Sequence, residues 1–285
     1  MINLSKFTPD VFNNLTSNEK KEAIKGLASD IFKKFDIKPI PVLFDNLDGD
    51  KTKSGVFYKH PACIFINNFF IDEEAAKTAL SDVIDHKKFL SYYLVNTIAH
   101  ECYHYYQYCL INKLVNKEDL SQDDLDFAYL QFISLYGKTF RSFCKEKELL
   151  LETSFDEDTL YKFCPSELSA DDFASKIVDQ LSNLDSNKDN YDYYAKVMDV
   201  MYYFSKPKDK KIKFEDLKIM VIKYNLQVAL CFLEYKNQTS GLKKKYLDIE
   251  EEDLKESIYR TIDKLEKQNA ALNELLKKIS KINKK

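Results

Sequence analysis

Histidine is rare in this chain, four in 285 residues, and two of the four, His100 and His104, stand four apart with Glu101 directly after the first. On a helix, residues four apart are separated by about 40° around the axis and about 6 Å along it. Both imidazoles then lean to one side and can share one tetrahedral metal ion, zinc above all. A glutamate beside the first histidine can reach a water in an open metal position and act as its general base. The chemistry of such a set is metal-assisted hydrolysis, most often of peptide bonds. A satisfied buried polar network is the plainer reading. Against it, the pattern falls in the middle of 89–112, an apolar stretch whose one charged residue is Glu101.

Two histidines leave a catalytic zinc one protein ligand short, because three with water in the fourth position is usual. His60 in "YKHPA" and His86 in "VIDHKKF" read as a hairpin turn and a helix start, so a carboxylate is expected. The acids of 116–126 read as a solvated loop and helix start, where they are favoured anyway. In "CPSELSADDFA", Glu167 opens a helix just after Pro165, and Asp171 follows one turn later on the same face. Glu167 can bind zinc while Asp171 accepts the second N–H of a ligating histidine and fixes its tautomer. First-turn acids favouring a helix N-terminus are the plainer reading, and Cys164 is the competing ligand. Tyr161, a few residues upstream, is a candidate donor to the developing oxyanion.

These side chains need elements to hold them. Ile24, Leu27, Ile31 and Phe35 predict a helix, with Thr16 and Glu19 as a capping box. "PVLF", "GVFY" and "CIFIN" predict three short strands from Pro41, Gly55 and Cys63. A helix after Asp72 and the long histidine helix follow. On the latter, Asn96, His100, His104 and Gln107 form a polar stripe facing a cleft. Leu94, Val95, Ile98, Cys102 and Cys109 turn to the core. Gly and Pro are scarce, 5 and 6, which favours long helices. Helices are expected near 123–151, from Pro165, near 191–204 and 214–235, and over 249–282, with 153–165 as a loop. The fold class is α+β, mostly helical. The polar run 185–190 marks the expected boundary between a metal-binding domain, 1–185, and a helical region, 186–285. Ile258, Ile262, Leu265, Asn269, Leu272, Leu276 and Ile279 form a heptad seam. It serves either packing on the chain's own bundle, leaving a monomer, or a dimer through the last helix.

Net charge is −3 with acids and bases interleaved, which argues against nucleic acid. The polar residues at the centre of 89–112 would be costly in lipid, so no membrane span is expected. The N-terminus lacks a cationic segment followed by an apolar run, and the cysteines show no CxxC pair. Reduced thiols and a cytoplasmic setting are expected.

"HECYH" and "ELSAD" together resemble the gluzincin branch of the zinc metallopeptidases. "ELSADDFA" is similar to an element of ImmA/IrrE-type peptidases and of small phage and bacterial metallopeptidases. "GVFYKHPACIFIN" resembles their glycine–aromatic hairpin ending in Ile-x-Ile-Asn, and "TIAHE" their lead into the helix. Tyr103 stands where ImmA-type sequences usually carry glycine. The resemblance covers about 39–174. It implies a zincin-like core, a small mixed sheet packed on long helices, followed here by an all-α C-terminal region. It implies His100, His104 and Glu167 as zinc ligands, Glu101 as base and Asp171 as partner of a ligating histidine. It also implies that 63–67, through Ile64, Ile66 and Asn67, pairs with an extended peptide. The expected function is a zinc-dependent peptidase acting on a peptide or protein. The alternative is a zinc protein of little or no activity, serving as a helical protein-binding scaffold or effector.

Overall fold

The computed structural model describes residues 2–47, 54–71, 84–149, 155–203, 214–238 and 251–282. The helix expected over 73–84, after Asp72, lies outside them but for its last residue. The chain is α+β and mostly helical, and its helices and strands group into two compact units: 1–109 with 168–208, and 110–167 with 209–285.

In the first unit, a short helix α1 (Pro9–Phe12) leads to α2 (Ser17–Lys34). The capping box is present: Glu19 N–H donates to Thr16 Oγ1 at 3.3 Å, and Thr16 N–H to Glu19 Oε2 at 2.8 Å. Ile24, Leu27 and Ile31 are buried on one face, as their spacing requires. Strands β1 (Val42–Asp45), β2 (Gly55–Lys59) and β3 (Ala62–Asn67) form a mixed sheet in the order β1-β3-β2. β1 runs parallel to β3, while β2 returns antiparallel through a turn at His60 and Pro61. Ile64 and Ile66, both fully buried, turn the inner face of the sheet to the core.

Against this core runs α3 (His86–Val115), which starts at the histidine expected to open a helix. Its residues Leu94, Val95, Ile98 and Cys102 are fully buried, whereas Cys109 is only half-buried. α6 (Pro165–Leu184) follows a proline at its first position, where a missing N–H costs nothing. Phe173, Ala174, Ile177, Val178 and Leu181 of α6 are buried in the same core, and α7 (Lys188–Tyr203) adds Tyr194.

The partition differs from a division at 185 and 186. The run "DSNKDN" is polar yet not a linker, because its side chains are used inward. Tyr92 O–H donates to Asp185 Oδ2 at 2.9 Å, and Asn190 Nδ2 donates to the same oxygen at 3.1 Å. Asn187 N–H caps the other carboxylate oxygen at 3.0 Å. Tyr194 stacks on Tyr92, so α7 stays with the first unit. Burial, then the bond to Asp185, pushes the Tyr92 hydroxyl well above its ordinary value. Tyr92→Phe is expected to cost about 1.5–3 kcal/mol, since the lost bond is to a buried charge. Urea unfolding measures it, and a loss under about 0.5 kcal/mol would deny the turn this role.

The second unit is built from α4 (Gln122–Glu146), α5 (Glu157–Lys162), α8 (Phe214–Gln238) and α9 (Glu251–Ile282). α5 stands inside the stretch expected to be a loop. Asp156 starts it by accepting Thr159 N–H at 2.7 Å. Phe140 of α4 stacks on Phe232 of α8 at 4.6 Å between centroids. Of the heptad seam on α9, Ile258 is buried and Ile262 and Leu265 are half-buried; the side chains from 268 onward lie outside the described ones.

α9 is fixed to α4 by Asp126, whose Oδ1 accepts from Arg260 at 2.9 Å and from Ser257 at 3.0 Å. Burial alone would raise the Asp126 carboxyl, but the bonds from Arg260 and Ser257 outweigh it and leave it below the usual range. With the folded value the lower, the stability it contributes is full above the unfolded value, about 3.9. That stability is lost as pH falls from there through the folded value. Asp126→Asn is therefore expected to destabilise at neutral pH and to flatten the acid loss. Urea unfolding near pH 7 and pH 3 reads both, and an undiminished acid loss would assign it to other carboxylates.

Among the described residues no helix is long and apolar enough to cross a membrane.

Candidate metal centre

α3 presents His100 and His104 one turn apart, and their rings meet nearly edge-on, with centroids 4.5 Å apart. Glu167 lies in the first turn of α6, which is held by Ser166: its N–H donates to Ser134 Oγ at 3.2 Å. The result is a three-residue group. One ligand atom each from His100, His104 and Glu167 lies within 4.8 Å of the others, and all three residues are half-buried. The donor set is two imidazole nitrogens and one carboxylate oxygen, which suits zinc with a position left for water.

The orientation of each ring supports that use. His100 Nδ1 lies 2.9 Å from Asp171 Oδ1, one turn after Glu167 on α6. A carboxylate only accepts, so this contact favours the proton on Nδ1 and the lone pair on Nε2. His104 Nδ1 lies 2.9 Å from Gln107 Oε1, which likewise only accepts. The two Nε2 atoms are 2.9 Å apart. Gln107 is not part of an open polar stripe: it is 4% exposed, and its Nε2 donates to Ser169 Oγ at 2.9 Å. Its position three residues after the second histidine is the one signal in the sequence that could have found this bond.

Glu101 points to the sheet. Its Oε2 accepts Phe57 N–H from β2 at 2.8 Å. The approach of β2 to α3 depends on Gly55. A Cβ there would stand 2.7 Å from Thr97 Cγ2 and 3.2 Å from Ile66 Cδ1. Thr97 is one turn before Glu101, and its hydroxyl is paired with Ser54 Oγ at 2.8 Å. Beyond the histidines, Tyr103 stacks on Phe173 at 5.0 Å and meets Phe35 edge-on, which closes α2, α3 and α6 with aromatic rings. Burial first, then Tyr106 and Asp172, pushes the Tyr103 hydroxyl up to about 12, and burial raises the Cys102 thiol well above its ordinary value.

The other candidates stand elsewhere. Cys164 is not in the metal group; its Sγ lies 3.2 Å from Ser166 Oγ. Of the acids in 116–126, Asp126 holds Arg260, and Asp124 sits in the first turn of α4, where Ser121 caps the helix by accepting Asp124 N–H and donates its hydroxyl to the Asp124 carboxylate. Tyr161 is on α5 and 64% exposed. The substrate-pairing role of Ile64, Ile66 and Asn67 is corrected. β3 is the central strand, paired with β1 over 64–67 and with β2 over 62–66, and all three side chains are buried. A strand with neighbours on both sides has no ladder left to offer. The edge beside Glu101 belongs to β2.

No family model, no curated protein and no solved structure matches this chain.

Proposed function

We propose that the chain is a zinc-dependent peptidase of the gluzincin kind. The observation that carries this reading is the convergence of His100, His104 and Glu167 within 4.8 Å, next to a glutamate that follows the first histidine on the same helix. His100, His104 and Glu167 would hold the ion, and Asp171 and Gln107 would orient the two rings. A bound zinc ion polarises a carbonyl and lowers the pKa of water towards neutrality. Glu101 takes the proton from the attacking water and delivers it to the leaving amine.

The substrate is an extended peptide or protein segment lying along β2. Asn67 N–H bonds to Ser54 O at 2.9 Å, so alternation turns Gly55, Phe57 and Lys59 outward from the sheet; the Phe57 N–H is taken by Glu101, which leaves the Phe57 C=O and the groups of Gly55 and Lys59 along that edge. An added strand there would run beside Glu101. All six cysteines are free, which supports a reducing, cytoplasmic setting.

The test is a peptide library incubated with the chain after chelation and after return of zinc, with new N-termini read by mass spectrometry. Elemental analysis of the same samples reports which metal is bound. Cleavage that follows the zinc supports the proposal. No cleavage by a chain carrying one zinc would leave the alternative, a protein-binding zinc scaffold.

A further inference from the structure

The edge of β2 beside Glu101 ends in Lys59, a cation for which the described residues supply no carboxylate. Gly55, Phe57 and Lys59 lie opposite Ile66, Ile64 and Ala62 of β3, on the face of the sheet turned to the core and to α3. Phe57 N–H meets Glu101, and Lys59 follows two residues later, about 7 Å along the strand. The end of the hairpin is pinned there. Tyr108, about two turns after Glu101 on α3, sets its ring 5.9 Å from that of Phe57 and 6.1 Å from that of His60. Lys59 stands in the chain between those two contacts. It reaches solvent, yet enough protein surrounds its ammonium that burial, with no charged neighbour to offset it, lowers its pKa. By contrast, the half-buried Lys223 and Lys255 meet Glu266 and Glu252 at 3.2 and 3.3 Å.

We propose that Lys59 selects the substrate: the peptide laid along β2 carries a carboxylate, from an acidic side chain or from its own C-terminus, within about three residues of the bond that is cut. The inference rests on the peptidase reading of the site and adds to it the charge of the substrate. Main-chain pairing along a sheet edge is blind to sequence, so selectivity comes from the side chains that flank the edge. Of the three edge residues, Gly55 has no side chain, and the Phe57 ring is packed against Tyr105 and Tyr108. Lys59 is left with a group to offer. In an added strand, the residue facing Lys59 sends its side chain to the same face of the sheet, where opposite charges attract and like charges repel. An ammonium partly stripped of water and unpaired is costly, and an incoming carboxylate offsets that cost. An incoming lysine would add to it.

The experiment uses the zinc-loaded full chain and the library peptide it cleaves fastest, resynthesised with glutamate, glutamine or lysine at each position within about three residues of the cut. One set of peptides is amidated at the C-terminus. A second set is shortened to end within the same span, with the terminus free or amidated. The ratio of kcat/KM values within each set is read for wild type, Lys59→Arg and Lys59→Glu. At one position, wild type and Lys59→Arg are expected to favour glutamate over lysine about 10-fold, and Lys59→Glu to reverse the order. If instead the free terminus carries the preference, and Lys59→Glu abolishes it, the carboxylate comes from the end of the chain. If the order is the same in wild type and Lys59→Glu for every peptide, the inference is overturned while the peptidase reading stands. If the zinc-loaded chain cleaves no peptide, the peptidase reading itself fails and takes the inference with it.

Discussion

Glu101→Gln is expected to lower peptide turnover by about 10²–10⁴-fold, the usual share of a general base, while zinc content stays near one per chain. The amide nearly matches the carboxylate in size but cannot take a proton from water. Its oxygen can still accept from Phe57 N–H, where Glu101 Oε2 stands at 2.8 Å, so the strand keeps its place. The variant therefore separates chemistry from architecture. Turnover, zinc content and thermal midpoint are read on the same sample. Equal turnover in the two proteins would end the assignment of Glu101 as base.

Glu167→Ala has the second large effect. Losing an acceptor behind a ligating histidine typically weakens metal binding about 10–100-fold, and losing a ligand should exceed that. At a zinc concentration of about 100 times the dissociation constant, binding adds about 2.7 kcal/mol to stability. A site 100-fold weaker gains only about 0.4 kcal/mol at the same zinc. Competition with a chelator and zinc-dependent thermal shifts both read the difference. Asp171→Asn should fall between the two, because it keeps an acceptor but loses the charge. Undiminished affinity in Glu167→Ala would move the third ligand to another residue.

Much of the site's skeleton is written locally and was legible for that reason. Helical spacing alone aims His100 and His104 together, and a proline followed by Glu-x-x-x-Asp sets a helix start with two acids one turn apart. The capping box at Thr16 and Glu19 and the starts of α3 and α6 are local in the same sense. What sequence could not supply depends on chain segments meeting. The strands were found, but their order was not, since an apolar run reads the same at an edge as at the centre. Hence Ile64 and Ile66 were expected at the substrate, whereas they lie in the core. The turn at 185–190 misled in the opposite direction. Polar residues that bond inward to Tyr92 cannot be told by composition from polar residues that bond to water. Gln107 was seen as one more polar residue on a face; that its amide reaches both His104 and Ser169 needed α6 in place.

Gly55 carries a consequence for what changes this protein tolerates. The distance between the β2 edge and the helix bearing Glu101 is set by an atom that is missing. Any side chain at 55 must displace Thr97 or the strand, and Thr97, β-branched and bound to Ser54, has little room to turn. At Gly26, by contrast, an added Cβ meets nothing within 4 Å. In a survey of all single substitutions, position 26 should accept most residues and position 55 almost none, although 55 is neither a ligand nor a base. A census of tolerated variation would thus mark the spacing between strand and helix as sharply as it marks the histidines.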